Sequence, residues 1–182
     1  PVSNRGVFQV YSRDVDTVLR GEGFIENAGV LRSDPWGGGC CGYTYTSLPI
    51  HTTPEGRLLV LPGSQWQVRP GASLALGGAL ELGGFMSFPN DGAQRELLVM
   101  AGSRVVGGGT LRLQGSNQLV LAGDVITAIQ IEALENSRVD GAGTLLLEGE
   151  HTLGGTYAGR VVLASGTILH SAGMHVLESG SL

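Results

Sequence analysis

The sequence predicts an all-β fold, a parallel β-solenoid whose short strands stack coil upon coil. Three observations lead there. Ser103 to Leu113 reads Ser-Arg-Val-Val-Gly-Gly-Gly-Thr-Leu-Arg-Leu, and it returns at Ser137 to Leu147 as Ser-Arg-Val-Asp-Gly-Ala-Gly-Thr-Leu-Leu-Leu. Eight of the eleven positions agree, at an offset of 137 − 103 = 34. A repeat this close points to stacked structural units. Next, 31 glycines accompany an apolar content that is mainly Leu and Val, with only 15% charged residues. That is the composition of short apolar strands joined by glycine turns. Last, helical periodicity is absent almost throughout, while short alternating runs recur.

Taken in order, the chain opens with strand-like segments. Val7-Phe8-Gln9-Val10-Tyr11 alternates, Gly21-Glu22-Gly23-Phe24-Ile25 echoes the Gly-x-Gly-Thr-Leu of the repeat, and Asn27-Ala28-Gly29 supplies a turn before Val30-Leu31. Residues 32–56 break the pattern. Both cysteines, Trp36, Tyr43, Tyr45, four glycines between 37 and 42, and prolines 35, 49 and 54 fall here. This reads as an irregular loop insertion, the kind of segment that carries function on a rigid scaffold. From Arg57 a motif of two apolar residues, two variable ones and Gly-Ser/Thr/Asp recurs, with its glycine at 63, 102, 123, 166 and 180. The first three intervals are close to one or two multiples of about 20 residues, the length of one coil with variable corners.

The physics supports stacking. A short strand pair cannot bury its apolar face alone. Coils about 4.8 Å apart pair each strand with those above and below. Alternation then sends Leu111 and Leu113 inward and Arg112 outward, and glycine supplies corners that need positive φ. The rival fold is a β-sandwich, which has similar strand lengths and turn spacing. It gives no reason for a nearly verbatim repeat. Residues 1–182 form a single domain in this reading. Glu178-Ser179-Gly180-Ser181-Leu182 ends the chain inside a repeat motif, so a longer solenoid, or a cap from another chain, is expected.

Composition narrows the function. The net charge of −5 and the lack of a basic cluster argue against a nucleic-acid partner. All eleven basic residues are Arg, which removes lysine chemistry and the phosphate-loop motif. No run reaches the roughly 18 apolar residues of a membrane span.

The units Gly107-Gly108-Gly109-Thr110-Leu111-Arg112-Leu113 and Gly141-Ala142-Gly143-Thr144-Leu145-Leu146-Leu147, with their Ala-Gly-Ser and Ser-Gly-Thr turns, resemble the right-handed parallel β-helices of large bacterial secreted and cell-surface proteins. Autotransporter passenger domains and filamentous-haemagglutinin-type adhesins are the groups concerned. The resemblance covers residues 57–182 well and 1–31 weakly. It implies a right-handed coil, an extracellular or cell-surface location, and a stalk-forming or adhesive role. It transfers no binding residue.

The residues themselves suggest a binding loop rather than an active site. Trp36, Tyr43 and Tyr45, with Arg32 and Asp34, would offer flat faces and charged handles to a cell-surface glycan or protein. Cys40 and Cys41 would stiffen the loop tip if joined as a vicinal disulfide; the alternative is two thiols with the aromatics packed back on the scaffold. Adjacent cysteines lack the spacing of a zinc site. No cofactor or metal is expected, and no catalytic residue is assigned. Neighbouring copies or further solenoid are expected partners. A second class of function, a polysaccharide-degrading enzyme or tailspike-like receptor-binding protein, would need paired carboxylates on one face near Asp14, Asp16, Glu22 and Glu26. Asp-Asp, His-Gly and Arg-x-Lys signatures of β-helical galacturonases are missing. His151, His170 and His175 show no metal-box spacing.

Overall fold

A computed structural model describes residues 1–12, 17–35, 43–134, 136–157, 160–165 and 167–176. Among them are 23 strands and no helix. Six successive coils contain three separate strands each. They are β1 (Val2–Asn4), β2 (Val7–Ser12) and β3 (Thr17–Leu19), then β4 (Ile25–Asn27), β5 (Val30–Pro35) and β6 (Tyr43–Thr46). Next come β7 (Ile50–Thr52), β8 (Arg57–Val60) and β9 (Gln65–Val68), followed by β10 (Leu74–Leu76), β11 (Ala79–Leu82) and β12 (Phe85–Phe88). The fifth and sixth coils are β13 (Glu96–Val99), β14 (Arg104–Val106) and β15 (Thr110–Leu113), and β16 (Gln118–Leu121), β17 (Val125–Thr127) and β18 (Gln130–Ala133). The winding continues through β19 (Arg138–Gly141), β20 (Thr144–Leu147), β21 (Glu150–Tyr157), β22 (Arg160–Leu163) and β23 (Ile168–Val176).

Strands three apart in sequence pair in parallel, which makes a solenoid with three faces. The first face carries β1, β4, β7, β10, β13, β16 and β19; the third carries β3, β6, β9, β12, β15 and β18. On the second face the ladder is split into β2–β5–β8–β11–β14 and β17–β20–β22. The eight-residue β21 rounds a corner, pairing through Thr152 and Leu153 with β18 and through Thr156 and Tyr157 with β19. A β-sandwich, built from antiparallel sheets, is thereby excluded. The coils shorten along the chain: Ile25 stands opposite Ile50 in an early pair, whereas Leu119 stands opposite Val139 in a later one.

Inward side chains form one continuous core. Leu31, Val60, Trp66, Leu80, Leu82, Met86, Phe88, Leu113, Ala133, Val139, Leu147 and Leu153 are wholly buried. Leu111 and Leu113 point in and Arg112 points out, as strand alternation requires.

The offset of the near-verbatim repeat is not a whole number of coils, and the strand assignment explains why. Its first copy is β14, a corner and β15; its second is β19, a corner and β20. The unit is therefore a strand–corner–strand element used at two different corners of the column. Gly107 and Gly141 both sit at positive φ, 126° and 113°, in the region that L side chains avoid. A methyl group on Gly109 would lie 2.1 Å from the Gly84 carbonyl oxygen, and one on Gly143 would lie 2.1 Å from that of Gly123. The middle glycine, Gly108, faces open space, and its counterpart is Ala142. The other two differences, Val106 against Asp140 and Arg112 against Leu146, fall at outward positions. The copies differ only at positions outside the core.

The stretch from 32 to 56 needs correction. It is not one irregular insertion. Residues 32–35 complete β5, and β6 and β7 lie wholly inside the stretch. Its regularity is hidden because its inward positions include Ser33, Thr44, Thr46 and Thr52, all buried. A hydropathy pattern does not register polar residues as core. Trp36, Cys40 and Cys41 lie outside the described residues.

Candidate functional site

The outward side chains of the third face converge on an open groove of about 530 Å³. Register builds it. Tyr43 of β6 stands opposite Gln65 of β9, which stands opposite Phe85 of β12. In the next column Tyr45, Gln67, Ser87 and Arg112 follow one another across β6, β9, β12 and β15. The groove is lined by Tyr43, Gln65, Gln67, Phe85, Ser87 and Arg112, with Pro89 and Gln114 at one end and the Gly63-Ser64 and Gly84 corners at the other. Alternation places these residues locally: β9 and β15 bury their second and fourth side chains and turn their first and third outward, and in β12 Phe85 and Ser87 share that side, with Ser87 buried at the floor of the groove.

Arg112 is the charged residue of the lining. Its guanidinium carbon lies 4.9 Å from the centre of the Phe85 ring. Its Nε donates to Glu132 Oε2 of β18 at 2.5 Å. No described residue accepts from its two terminal Nη groups, and the side chain is 37% exposed. The Pro89 end of the groove is held by a buried polar clip. Asn117 Nδ2 donates to the carbonyls of Phe88 and Pro89, both at 3.0 Å, and also to that of Gln114. Asn117 Oδ1 accepts from the Arg95 backbone at 3.0 Å. Arg95, almost fully buried, donates through Nη1 to the Pro89 carbonyl at 2.9 Å and pairs with Asp91. Burial opposes ionisation of the Asp91 carboxyl most strongly, yet the Arg95 guanidinium and the Ala93 amide together hold its pKa below the usual value.

The residues expected to form a binding loop divide between two faces. Arg32 and Asp34 project from β5 and are ion-paired with each other, and Gln9 Nε2 donates to Asp34 Oδ2 at 2.7 Å. Tyr43 and Tyr45 project from β6, their rings stacked 5.7 Å apart at 9°. Arg69 covers the Tyr45 ring at 4.2 Å. Of these four, Tyr43 is the one that lines the groove. No hydrogen bond, ion pair or ring contact among the described residues joins the Arg32–Asp34 pair to the tyrosines.

The acidic cluster weighed for hydrolysis does not assemble among the described residues. Asp14 and Asp16 lie outside them; Glu22 and Glu26 are exposed, and Glu26 stands in register with Ser3 and His51. The histidines are also separated in role. His151 is fully buried, and its Nδ1 accepts from the Ile131 amide at 3.2 Å. Burial pushes its pKa down. His170 is exposed beside Glu150 at 3.1 Å. No group of three or more His, Cys, Asp or Glu among the described residues is placed to hold a metal ion.

Compared with family models, curated proteins and solved structures, the chain matches none significantly. Its parallel β-solenoid architecture therefore rests on its own strand pairing, and its site on its own geometry.

Sequence reasoning does not single out Gln65, Gln67, Phe85 or Ser87. Alternation marks each as outward, but Tyr43, Gln65 and Phe85 belong to successive coils and are distant along the chain. Their convergence requires the register, which the sequence does not display.

Proposed function

We propose that the chain is a non-catalytic segment of an extracellular, adhesive β-solenoid, and that the groove on the third face binds a glycan. The carrying observation is the composition of the lining: Tyr43, three glutamines (Gln65, Gln67, Gln114), Ser87 and Arg112 converge on one open groove. Amide and hydroxyl groups match a dense array of sugar hydroxyls, because each both donates and accepts. The Tyr43 ring supplies an apolar face with a polar handle. The scaffold beneath is a stack of paired strands, so these groups are preorganised and little ordering entropy is lost on binding. Hydrolysis by paired carboxylates would require two acids at the glycosidic bond; the lining described above offers amides instead, which favours binding.

The test is a glycan array with the wild type, Gln67→Ala, Tyr43→Ala and Trp36→Ala. Binding that falls at least about tenfold in the first two variants, and persists in the third, supports the groove. Loss confined to Trp36→Ala would move the site to the segment between β5 and β6. Cleavage of any bound glycan would replace the non-catalytic reading.

A further inference from the structure

We infer that the groove is selective for acidic glycans, and that Arg112 reads a carboxylate on the sugar. The inference rests on the glycan-binding reading above and adds the chemical class of the ligand. It begins with the charge of the lining. Ten of the eleven residues that form the groove are uncharged, and the remaining one is Arg112. A guanidinium is planar and permanently charged, and its parallel N–H groups fit a carboxylate in a bidentate fork.

The surroundings prepare that fork. Glu132 takes the Nε side, and the Phe85 ring lies against the guanidinium carbon. These two contacts fix the plane of the group from one edge and one face. The Nη edge is left for a ligand. A cation held in place loses less side-chain entropy when it binds than a free one.

Glu132 does not cancel the site. One carboxylate shared through Nε satisfies part of the donor set of arginine, which comprises five N–H groups in all. Glu132 is itself 17% exposed in its side chain and belongs to β18, outside the groove lining. A ligand carboxylate on the Nη edge would therefore meet unoccupied donors. The flanking glutamines Gln65, Gln67 and Gln114 add donors for the remaining sugar oxygens. An acidic peptide would present carboxylates too. The lining favours a sugar, because its amides and Ser87 outnumber its apolar side chains, and peptide grooves rely on apolar pockets for alternate side chains.

The measurement is calorimetric titration of the whole 182-residue chain with a short oligogalacturonate, its methyl ester and a neutral cello-oligosaccharide. The wild type is expected to prefer the oligogalacturonate over its ester by roughly tenfold at low salt, with the preference shrinking as salt rises. Arg112→Gln should remove that preference, bringing the oligogalacturonate and its ester to equal affinity. Arg112→Lys keeps the charge but loses the fork, and should retain a smaller preference. Thermal melts of each variant separate lost folding from lost recognition. Equal affinity for acid and ester overturns the acidic selectivity while leaving the glycan groove standing. So does a preference that survives Arg112→Gln with folding intact. Binding of none of the three sugars, with an aspartate-rich peptide bound instead, overturns both readings.

Discussion

Two coils of this column follow the same path around different interiors. In the coil of β10, β11 and β12 the six inward residues are Leu74, Leu76, Leu80, Leu82, Met86 and Phe88. In the coil of β4, β5 and β6 they are Ile25, Asn27, Leu31, Ser33, Thr44 and Thr46. Four of the second six are polar, and all six are buried. The apolar interior is held by volume and by apolar area removed from water. The polar interior holds only if each group finds a partner. It does so: Asn27 accepts from Asn4 at 2.8 Å and donates to the Arg57 carbonyl at 2.9 Å, Ser33 and Thr44 share a hydroxyl contact at 3.0 Å, and Thr46 donates to the Leu48 carbonyl at 3.1 Å. A solenoid coil therefore needs the right backbone and a satisfied interior, and hydrophobicity is one way among two to provide it.

The comparison can be tested first at what both coils share. Gly29 and Gly78 occupy equivalent corners. A methyl on Gly29 would sit 2.1 Å from the Gly6 carbonyl oxygen, and one on Gly78 would sit 2.0 Å from that of Gly56. Gly29→Ala and Gly78→Ala should each destabilise by about 4 kcal/mol or more in denaturant titrations, because backbone of the adjacent coil must move. Gly108→Ala, where the added carbon meets nothing within 4 Å, should cost under about 1 kcal/mol. Equal tolerance at all three corners would mean that coil spacing is softer than this geometry requires.

Interiors should then separate the coils. Leu82→Ala in the apolar coil removes a fully buried side chain and should cost about 3 kcal/mol. Ser33→Ala strands the buried Thr44 hydroxyl and should cost about 1–2 kcal/mol. The decisive variant is the pair Ser33→Ala with Thr44→Val, which removes both hydroxyls. It should recover most of the single-mutant loss. A double mutant that loses the sum of both single changes would show that the hydroxyls act independently, and that the polar interior is not a matched set.

The smallest effect is a dependence on pH. His151 is a buried ionisable ring of the later coils, and burial lowers its pKa from 6.5. Above that value neither folded nor unfolded chain carries the proton. As pH falls below it, the unfolded chain takes up the proton first, so stability declines until the folded-state pKa is reached. Unfolding midpoints measured between about pH 7.5 and pH 5.5 should fall with acidity, and His151→Gln should flatten the profile. Unchanged slopes would show that folding does not shift the pKa of the ring.

The same contrast accounts for what is legible in the sequence. Leu-Arg-Leu at 111–113 discloses its inward and outward sides because only one kind of residue there is apolar. Ser33, Thr44 and Thr46 disclose nothing, since polar residues on alternate positions look like a loop. Prolines 35, 49 and 54 strengthen that impression, and Pro35 is in fact the last residue of β5. Among the candidate site residues, Tyr43 is marked by its aromatic setting and does line the groove. Alternation alone places Arg112 on the surface, with no hint that it stands beside Phe85 and Glu132. The offset between the two copies of the repeat looks irregular on paper, and it becomes intelligible when the copies are found at different corners.

The sequence by itself determined the local geometry: strand alternation, the glycine corners at 107, 109, 141 and 143, and the tendency to stack. These depend on neighbours within a few residues, through φ/ψ limits and the two-residue period of a strand. Only the tertiary structure decided which outward residues share a surface. Coil length is not constant, being longer where Ile25 meets Ile50 than where Leu119 meets Val139. The register between coils therefore depends on the corners, whose lengths vary. Tyr43, Gln65, Phe85 and Arg112 become neighbours because the backbones of successive coils satisfy their hydrogen bonds in that register, a long-range condition that no local pattern records.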